Sequence, residues 1–191
     1  MLKDLLLASR SYRSFDQSVS ISTEQLRDMI DHTRYAPSSI NLQMLKFRIV
    51  NTPEECACVL QNTRWAGKIK EEVIPPVGHA PVAYIVICHD TDVIDFHDMF
   101  LKDVGICAQT IMLAACEAGF GGCMIGSFSK EMLPTQLKLP KNLIPQLVLA
   151  LGKPDETVEL TTPAKDGSVT YYRENGIHYV QKRNLDDIIV K

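Results

Sequence analysis

The chain has 191 residues, 46% hydrophobic and 23% charged, with 20 Lys+Arg against 23 Asp+Glu and a formal net charge of −3. Those figures describe one globular domain spanning 1–191, able to bury roughly 70% of its unfolded surface, and they disfavour a (β/α)8 barrel, which needs about 250 residues. No basic cluster is available to neutralise a phosphate backbone, so nucleic-acid binding is disfavoured too.

Residues 2–8 suit a short helix, interrupted by the polar stretch 9–20. Ser22 and Gln25 have capping-box spacing ahead of Leu26, Met29 and Ile30, which predicts a second helix. It should stop near Tyr35, because Pro37 biases Ala36 away from helical geometry. A polar loop, 37–43, leads to a strand over 46–51. Thr52 and Glu55, with Pro53 at the first helical position, open a helix to about Asn62. Residues 63–80 read as a long irregular connection of the kind that often forms a lid. Residues 81–89, apolar throughout, suit a strand covered on both faces. The longest helix runs over about 98–118 and ends at Gly119. A strand near 123–125, a short helix from Ser129 and a strand near 147–151 follow, then a polar tail from about 155 to 191. This order predicts a three-layer α+β domain with a mixed central sheet flanked by helices and an extended C-terminal arm.

The longest apolar run, 81–88, has 8 residues, against the roughly 20 of a bilayer-spanning helix, so no membrane segment is expected. The N-terminal stretch carries Asp4, Arg10 and Arg13, unlike a signal peptide. Six cysteines then read as reduced thiols in the cytoplasm.

Most familiar chemistry is absent. The glycines at 119, 121, 122 and 126 do not form a dinucleotide fingerprint, because its third glycine would fall on Met124 and the cluster follows a helix. Cys56 and Cys58 have the wrong spacing for zinc, and no metal site is expected. On a helix those two thiols would point to nearly opposite sides, which argues against a dithiol redox pair. No nucleophile elbow is present. Two elements remain. Arg10, Ser11, Tyr12 and Arg13 set two guanidinium forks about a turn apart, suited to phosphate oxygens, although such a pair is also commonly just solvated. Ser38, Ser39, Asn41 and Gln43 place four polar side chains on one short loop. They could serve the edges of a planar heterocycle, or cap the turn themselves.

In combination the motifs resemble the FMN-dependent nitroreductase family. R-S-x-R-x-F is present as Arg10, Ser11, Arg13 and Phe15, and P-S-x-x-N-x-Q as Pro37, Ser38, Asn41 and Gln43. An A-P strand opening appears at Ala80 and Pro81. A D-x-G-x-A-x-Q-x-x-x-L-A-A helix is matched by Asp103, Gly105, Gln109, Leu113, Ala114 and Ala115. Gly119, Gly121, Ile125 and Gly126 match G-x-G-x-x-x-I-G, residues 151–154 read L-G-K-P, and Arg183 stands before a short apolar helix. The matches are collinear along the chain. Met44 and Leu45 stand where the family loop usually has P-W.

The resemblance implies that Arg10, Ser11, Tyr12 and Arg13, with Arg183, hold the FMN phosphate. Ser38, Ser39, Asn41 and Gln43 would line the ribityl chain and ring edges. The main chain at Ile125, Gly126 and Ser127 would approach the reactive N5 edge, where a glycine lets an N–H come close. It further implies a homodimer with two FMN at the interface, the arm of about 155–191 exchanged between subunits, and ping-pong reduction of a small acceptor such as a nitroaromatic or quinone by NAD(P)H. No side chain need be catalytic, since the chemistry lies on the flavin. Lys68 or Lys70 could place positive charge near N1, or be solvated, and Trp65, Phe96 and Phe100 are candidates to cover the ring. The alternatives are an FMN carrier or sensor without fast turnover, and a relative with different flavin chemistry, such as a dehalogenase or dehydrogenase.

Overall fold

The computed structural model describes residues 1–67, 69 and 73–190. The chain order is α1 (Leu2–Ala8), β1 (Phe15–Asp16), α2 (Thr23–Asp31), β2 (Leu45–Val50), α3 (Pro53–Gln61), β3 (Ala83–Asp90), α4 (Leu101–Glu117), β4 (Gly121–Ile125), α5 (Met132–Gln136), β5 (Leu143–Pro154), β6 (Thr157–Thr161), β7 (Tyr172–Glu174) and β8 (Ile177–Gln181). Helix α2 starts on a complete capping box: Gln25 N donates to Ser22 Oγ at 3.1 Å, and Ser22 N donates to Gln25 Oε1 at 2.9 Å. Only half of the second box forms. Glu55 N donates to Thr52 Oγ1, but the Glu55 carboxylate turns instead to Arg48 on β2. After α2 a single 3-10 turn ends at Ala36, which is extended ahead of Pro37 as expected.

Strand β5 is the spine of a five-stranded sheet. One edge pairs with β3, from Ala83↔Leu151 to Asp90↔Leu143, and β2 lies outside β3. The other edge carries β4 and then β1. Every one of these pairings is antiparallel, which corrects the predicted mixed sheet. The α4 crossover does run β3 and β4 in the same direction, but β5 is inserted between them, so the parallel strands never share an edge.

All eight residues of β3 are buried, as its unbroken apolar run predicts. Its odd positions, Ala83, Ile85 and Ile87, join Leu149 and Leu151 against α2 and α4. Its even positions, Tyr84, Val86 and Cys88, join Val148, Ala150 and Ile125 against α3 and α5. This two-residue alternation produces the three layers, helices, sheet, helices. The stretch Asp98–Glu117 is long and apolar enough to cross a membrane by length and composition. Burial of Val104, Ala108, Ile111 and Ala115 in the core accounts for that apolar character.

The tail is not simply extended. β6, β8 and β7 form a small sheet, with β6 parallel to β8 and β7 antiparallel to it. The β7–β8 hairpin turns through Asn175 and Gly176, both at positive φ (49° and 78°), the backbone of a type I′ turn, for which Asn-Gly is a strong signal. The sheet rests on the chain's own N-terminal segment, where Asp155 N donates to Ser14 O.

Glycines set how closely segments approach. A Cβ on Gly122 would stand 2.1 Å from the Ala150 carbonyl oxygen, whereas one on Gly126 meets nothing within 4 Å. Gly122→Ala should therefore lower the unfolding free energy in urea by about 2–3 kcal/mol. Gly126→Ala should change it by less than about 0.5 kcal/mol.

Candidate functional site

Residues 9–16 run across β4 and the end of β5. Ser11 bridges Gly122, and Tyr12 N donates to Gly122 O at 2.9 Å. The Tyr12 ring and Pro154 fill the space above Gly121, and Phe15 fills that above Gly152; a Cβ at either glycine would lie within 2.6–2.8 Å of those side chains. Tyr12 OH donates to Ala8 O at 2.9 Å, so its hydroxyl as well as its ring helps to hold the segment in place.

This seating puts Arg10, Ser11 and Arg13 in a cleft of about 390 Å3 whose far wall is Tyr171, His178, Val180 and Lys182 from the tail, with Met124 at its floor. The Arg10 guanidinium donates to Leu6 O, while its buried Nε has no partner. Arg13 Nη1 donates to Ser11 O at 3.1 Å, and its guanidinium lies 5.3 Å over the Tyr171 ring. Arg13 N donates to the Glu156 carboxylate, which also pairs with Arg173 at 2.6 Å. Among the described residues no carboxylate pairs with either the Arg10 or the Arg13 guanidinium.

A second cavity of about 150 Å3 adjoins the first, sharing Arg13, Met124 and Tyr171, and is lined by Arg64, Trp65, Ile125, Gly126 and Ser127. The chain there is pinned by Arg64 N donating to Ser127 O at 2.8 Å and Ser129 N to Asn62 O at 2.9 Å. Trp65 Nε1 donates to Thr63 Oγ1, holding the indole at the rim. Of the candidate ring covers, Trp65 alone is here. Phe96 and Phe100 pack on the buried His89 ring, at 5.4 and 5.7 Å, and line neither cavity. Lys68 and Lys70 lie outside the described residues.

The 38–43 loop is elsewhere. Ser38, Asn41 and Gln43 line a third cavity of about 190 Å3 with Asp103 and Cys107. Ser39 N and Oγ both donate to the Asp103 carboxylate at 2.8 Å, and Asp103 is only 3% exposed. Ser39 is thus consumed in anchoring the loop, while the buried Ser38 Oγ has no partner. Ile40, Asn41 and Gln43 all have positive φ, a costly backbone for a β-branched isoleucine. At about 100° per residue, Asp103 and Cys107 fall on one flank of α4 and Gln109 and Met112 on the other. The predicted residues therefore form two groups on opposite sides of one helix. Arg183, exposed beyond β8, joins neither, and Lys182 takes the position facing the arginines.

The nitroreductase family model matches residues 6–153. The chain belongs to the nitroreductase family. It is 30% identical over 190 residues to an NADPH-flavin oxidoreductase of Vibrio harveyi, covering 97% of this chain and 77% of the relative. Its fold is similar to a nitroreductase family protein of Streptococcus pneumoniae TIGR4, with a TM-score of 0.73, 19% identity and full coverage of both chains. An FMN-dependent nitroreductase of Clostridium difficile R20291 is also similar, with a TM-score of 0.64 and 25% identity over 80% of this chain and 87% of that one. These relationships support an oxidoreductase that works with a flavin.

In this nitroreductase family member the motif positions divide into contacts that build the fold and groups that line its cavities. Gly121, Gly152, Tyr12 and Ser39 build, with Asp103 as the anchor of the loop; Arg10, Arg13, Ser38 and Gly126 line cavities. Arg64, Tyr171, His178 and Lys182 were not anticipated. Arg64 sits beside Trp65 in the lid-like connection, and Lys182 follows His178 and Val180 at strand spacing, a signal visible once β8 is recognised. The six cysteines are free. Burial pushes the thiols of Cys56 and Cys107 up to about 11 and that of Cys88 to about 12, so they stay protonated and unreactive at neutral pH. Cys56 Sγ donates inward to Val82 O and Cys58 Sγ outward to Gln136 Oε1, on different sides of α3 as expected. Among the described residues no cluster of three metal-ligating side chains occurs.

Asp103→Ala should cost about 2–3 kcal/mol of stability in urea, because it strands the Ser39 N–H and hydroxyl. Amide exchange over 38–43 should accelerate in the same variant.

Proposed function

We propose that the protein is an FMN-dependent oxidoreductase that takes electrons from NAD(P)H and delivers them to a small acceptor, as a homodimer with two interfacial sites. The observation that carries this reading is a pair of guanidiniums that no described carboxylate pairs with, in a cleft that runs on to an uncrowded glycine main chain. Arginine forks match phosphate oxygens, and the partnerless Arg10 Nε supplies a donor that the fold itself does not use. Those features fit a phosphorylated flavin.

When bound, FMN supplies a ring that accepts a hydride and gives its electrons on to the acceptor. The chain's own contribution is to bind, orient and shield. Arg10, Ser11, Arg13 and Lys182 would hold the phosphate, with Arg183 close behind in sequence. N–H groups at Ile125, Gly126 and Ser127 would meet the reactive edge. Arg64 would supply the positive charge first sought at Lys68 or Lys70. Trp65 and Tyr171 would exclude water, so that donor and acceptor use one protected face in turn.

The other contacts, Ser38, Asn41 and Gln43, would come from a second copy. Ile106 on the outer face of α4, Tyr35 and Ile40 beside the loop, and Leu185, Ile188 and Ile189 at the chain's end are all exposed. These uncovered apolar side chains suit a subunit interface. Exchange of the arm would then involve its last residues, since β6, β7 and β8 stay on their own chain. Six free cysteines fit a reducing compartment, the cytoplasm.

Purified protein should be yellow, and NADH or NADPH should bleach the flavin anaerobically. Colourless protein that ignores added FMN would overturn this function, and flavin that stays oxidised would leave a binding protein. Arg13→Ala should weaken FMN binding by about 1.5–3 kcal/mol in fluorescence titration, the worth of a charge-assisted contact; an unchanged affinity would make the arginine surface charge only.

A further inference from the structure

Tyr171 borders both cavities of the site, the arginine cleft and the smaller one at Gly126. It stands just before β7, and the β7–β8 hairpin decides which way it faces. Successive side chains of an extended chain point to opposite sides, and the two adjacent tyrosines stack on different partners. Tyr171 stacks on the His178 ring, with centroids 5.4 Å apart and planes 24° from parallel, and Tyr172 stacks on Tyr179 at 5.1 Å and 22°. His178 and Tyr179 are themselves neighbours on β8, and it is His178 that lines the arginine cleft.

The Tyr171 ring also meets the N-terminal segment. The Arg13 guanidinium lies 5.3 Å over it, within the roughly 6 Å of a cation–π contact. That guanidinium donates to Ser11 O at 3.1 Å, and no described carboxylate pairs with it. The difference between the two kinds of partner matters for a phosphate. A carboxylate would occupy the N–H fork that phosphate oxygens need, whereas an aromatic face attracts the cation without accepting a donor. We propose that Tyr171 is a positioning residue for the phosphate end of the cofactor, holding the Arg13 guanidinium by its ring face so that the fork stays available. This inference rests on the flavin reading above. It makes the preference for a phosphorylated flavin depend on an aromatic ring of the tail as well as on cations.

Fluorescence titration with FMN and with riboflavin, which lacks the phosphate, separates this role from simple cover. Any shelter that the ring gives the flavin is lost by both ligands, and a loss through Arg13 falls on FMN alone. Tyr171→Leu should weaken FMN roughly tenfold more than riboflavin, and Tyr171→Phe, which keeps the face, should stay within about twofold of wild type. Tyr172→Leu, the neighbouring ring stacked on Tyr179, should leave the preference unchanged. In an Arg13→Ala background Tyr171→Leu should no longer separate the two ligands. Phenylalanines of increasing ring fluorination at 171, close in shape, should lower FMN affinity step by step while riboflavin stays level, because fluorine drains negative charge from the ring face. That series decides the matter if Tyr171→Leu does not fold. Equal losses for both flavins, a Phe variant as weak as the Leu variant, the same loss from Tyr172→Leu, a full FMN-specific loss without Arg13, or a flat fluorination series would each overturn the proposal. Wild-type protein that binds neither flavin would instead overturn the cofactor reading and this inference with it.

Discussion

The close approach of residues 9–16 to β4 and β5 is the constraint on which the site depends. Three glycines permit it, because at 121, 122 and 152 a single methyl group would collide with Tyr12, with the Ala150 carbonyl or with Phe15. Once Tyr12 and Phe15 are seated, Arg10 and Arg13 line the cleft beside Met124 of β4, and Arg13 also lines the adjoining cavity at Gly126. The glycines of the family's motifs therefore act first through packing. Their influence on a ligand is indirect, through the placement of charged side chains on a neighbouring segment.

Helix α4 imposes a second constraint. Its inner face fills the core beneath the sheet, and its flanks carry different groups: Asp103 anchoring the 38–43 loop on one, Gln109 and Met112 bordering the arginine cleft on the other. A helix about 10 Å thick separates the two sets, so one chain does not gather them around a single ligand. A second copy removes that difficulty without any change within the chain, and it would cover the apolar residues left on the outer face. The strained, positive-φ loop held by Asp103 then reads as a contact prepared in advance for a neighbouring chain.

Much of the fold was legible because its signals are local. The Ser22 cap, the break before Pro37, the apolar run of β3 and the period of α4 each report on residues a few positions away. What sequence reading missed is long-range. Antiparallel pairing throughout the sheet depends on β5 entering between β3 and β4, which no local pattern encodes. The tail strands are short and half polar, and Asn175-Gly176 was their one sharp signal. Site residues followed the same division. Arg10, Arg13 and Gly126 line adjoining cavities, whereas Ser39 and Tyr12 carry polar groups that the fold itself consumes. Strand phase turns Lys182 rather than Arg183 toward the arginine cleft, and Phe96 and Phe100 pack on the buried His89.

If each site is assembled from two chains, variants broken in opposite halves must repair one another. Arg13→Ala and the double variant Asn41→Ala/Gln43→Ala, each deficient alone, can be mixed under conditions of subunit exchange and titrated with FMN. Random pairing makes about half the dimers mixed, with one intact site each, so roughly a quarter of all sites should regain wild-type affinity. A mixture that binds no better than the average of its two components would contradict the shared site.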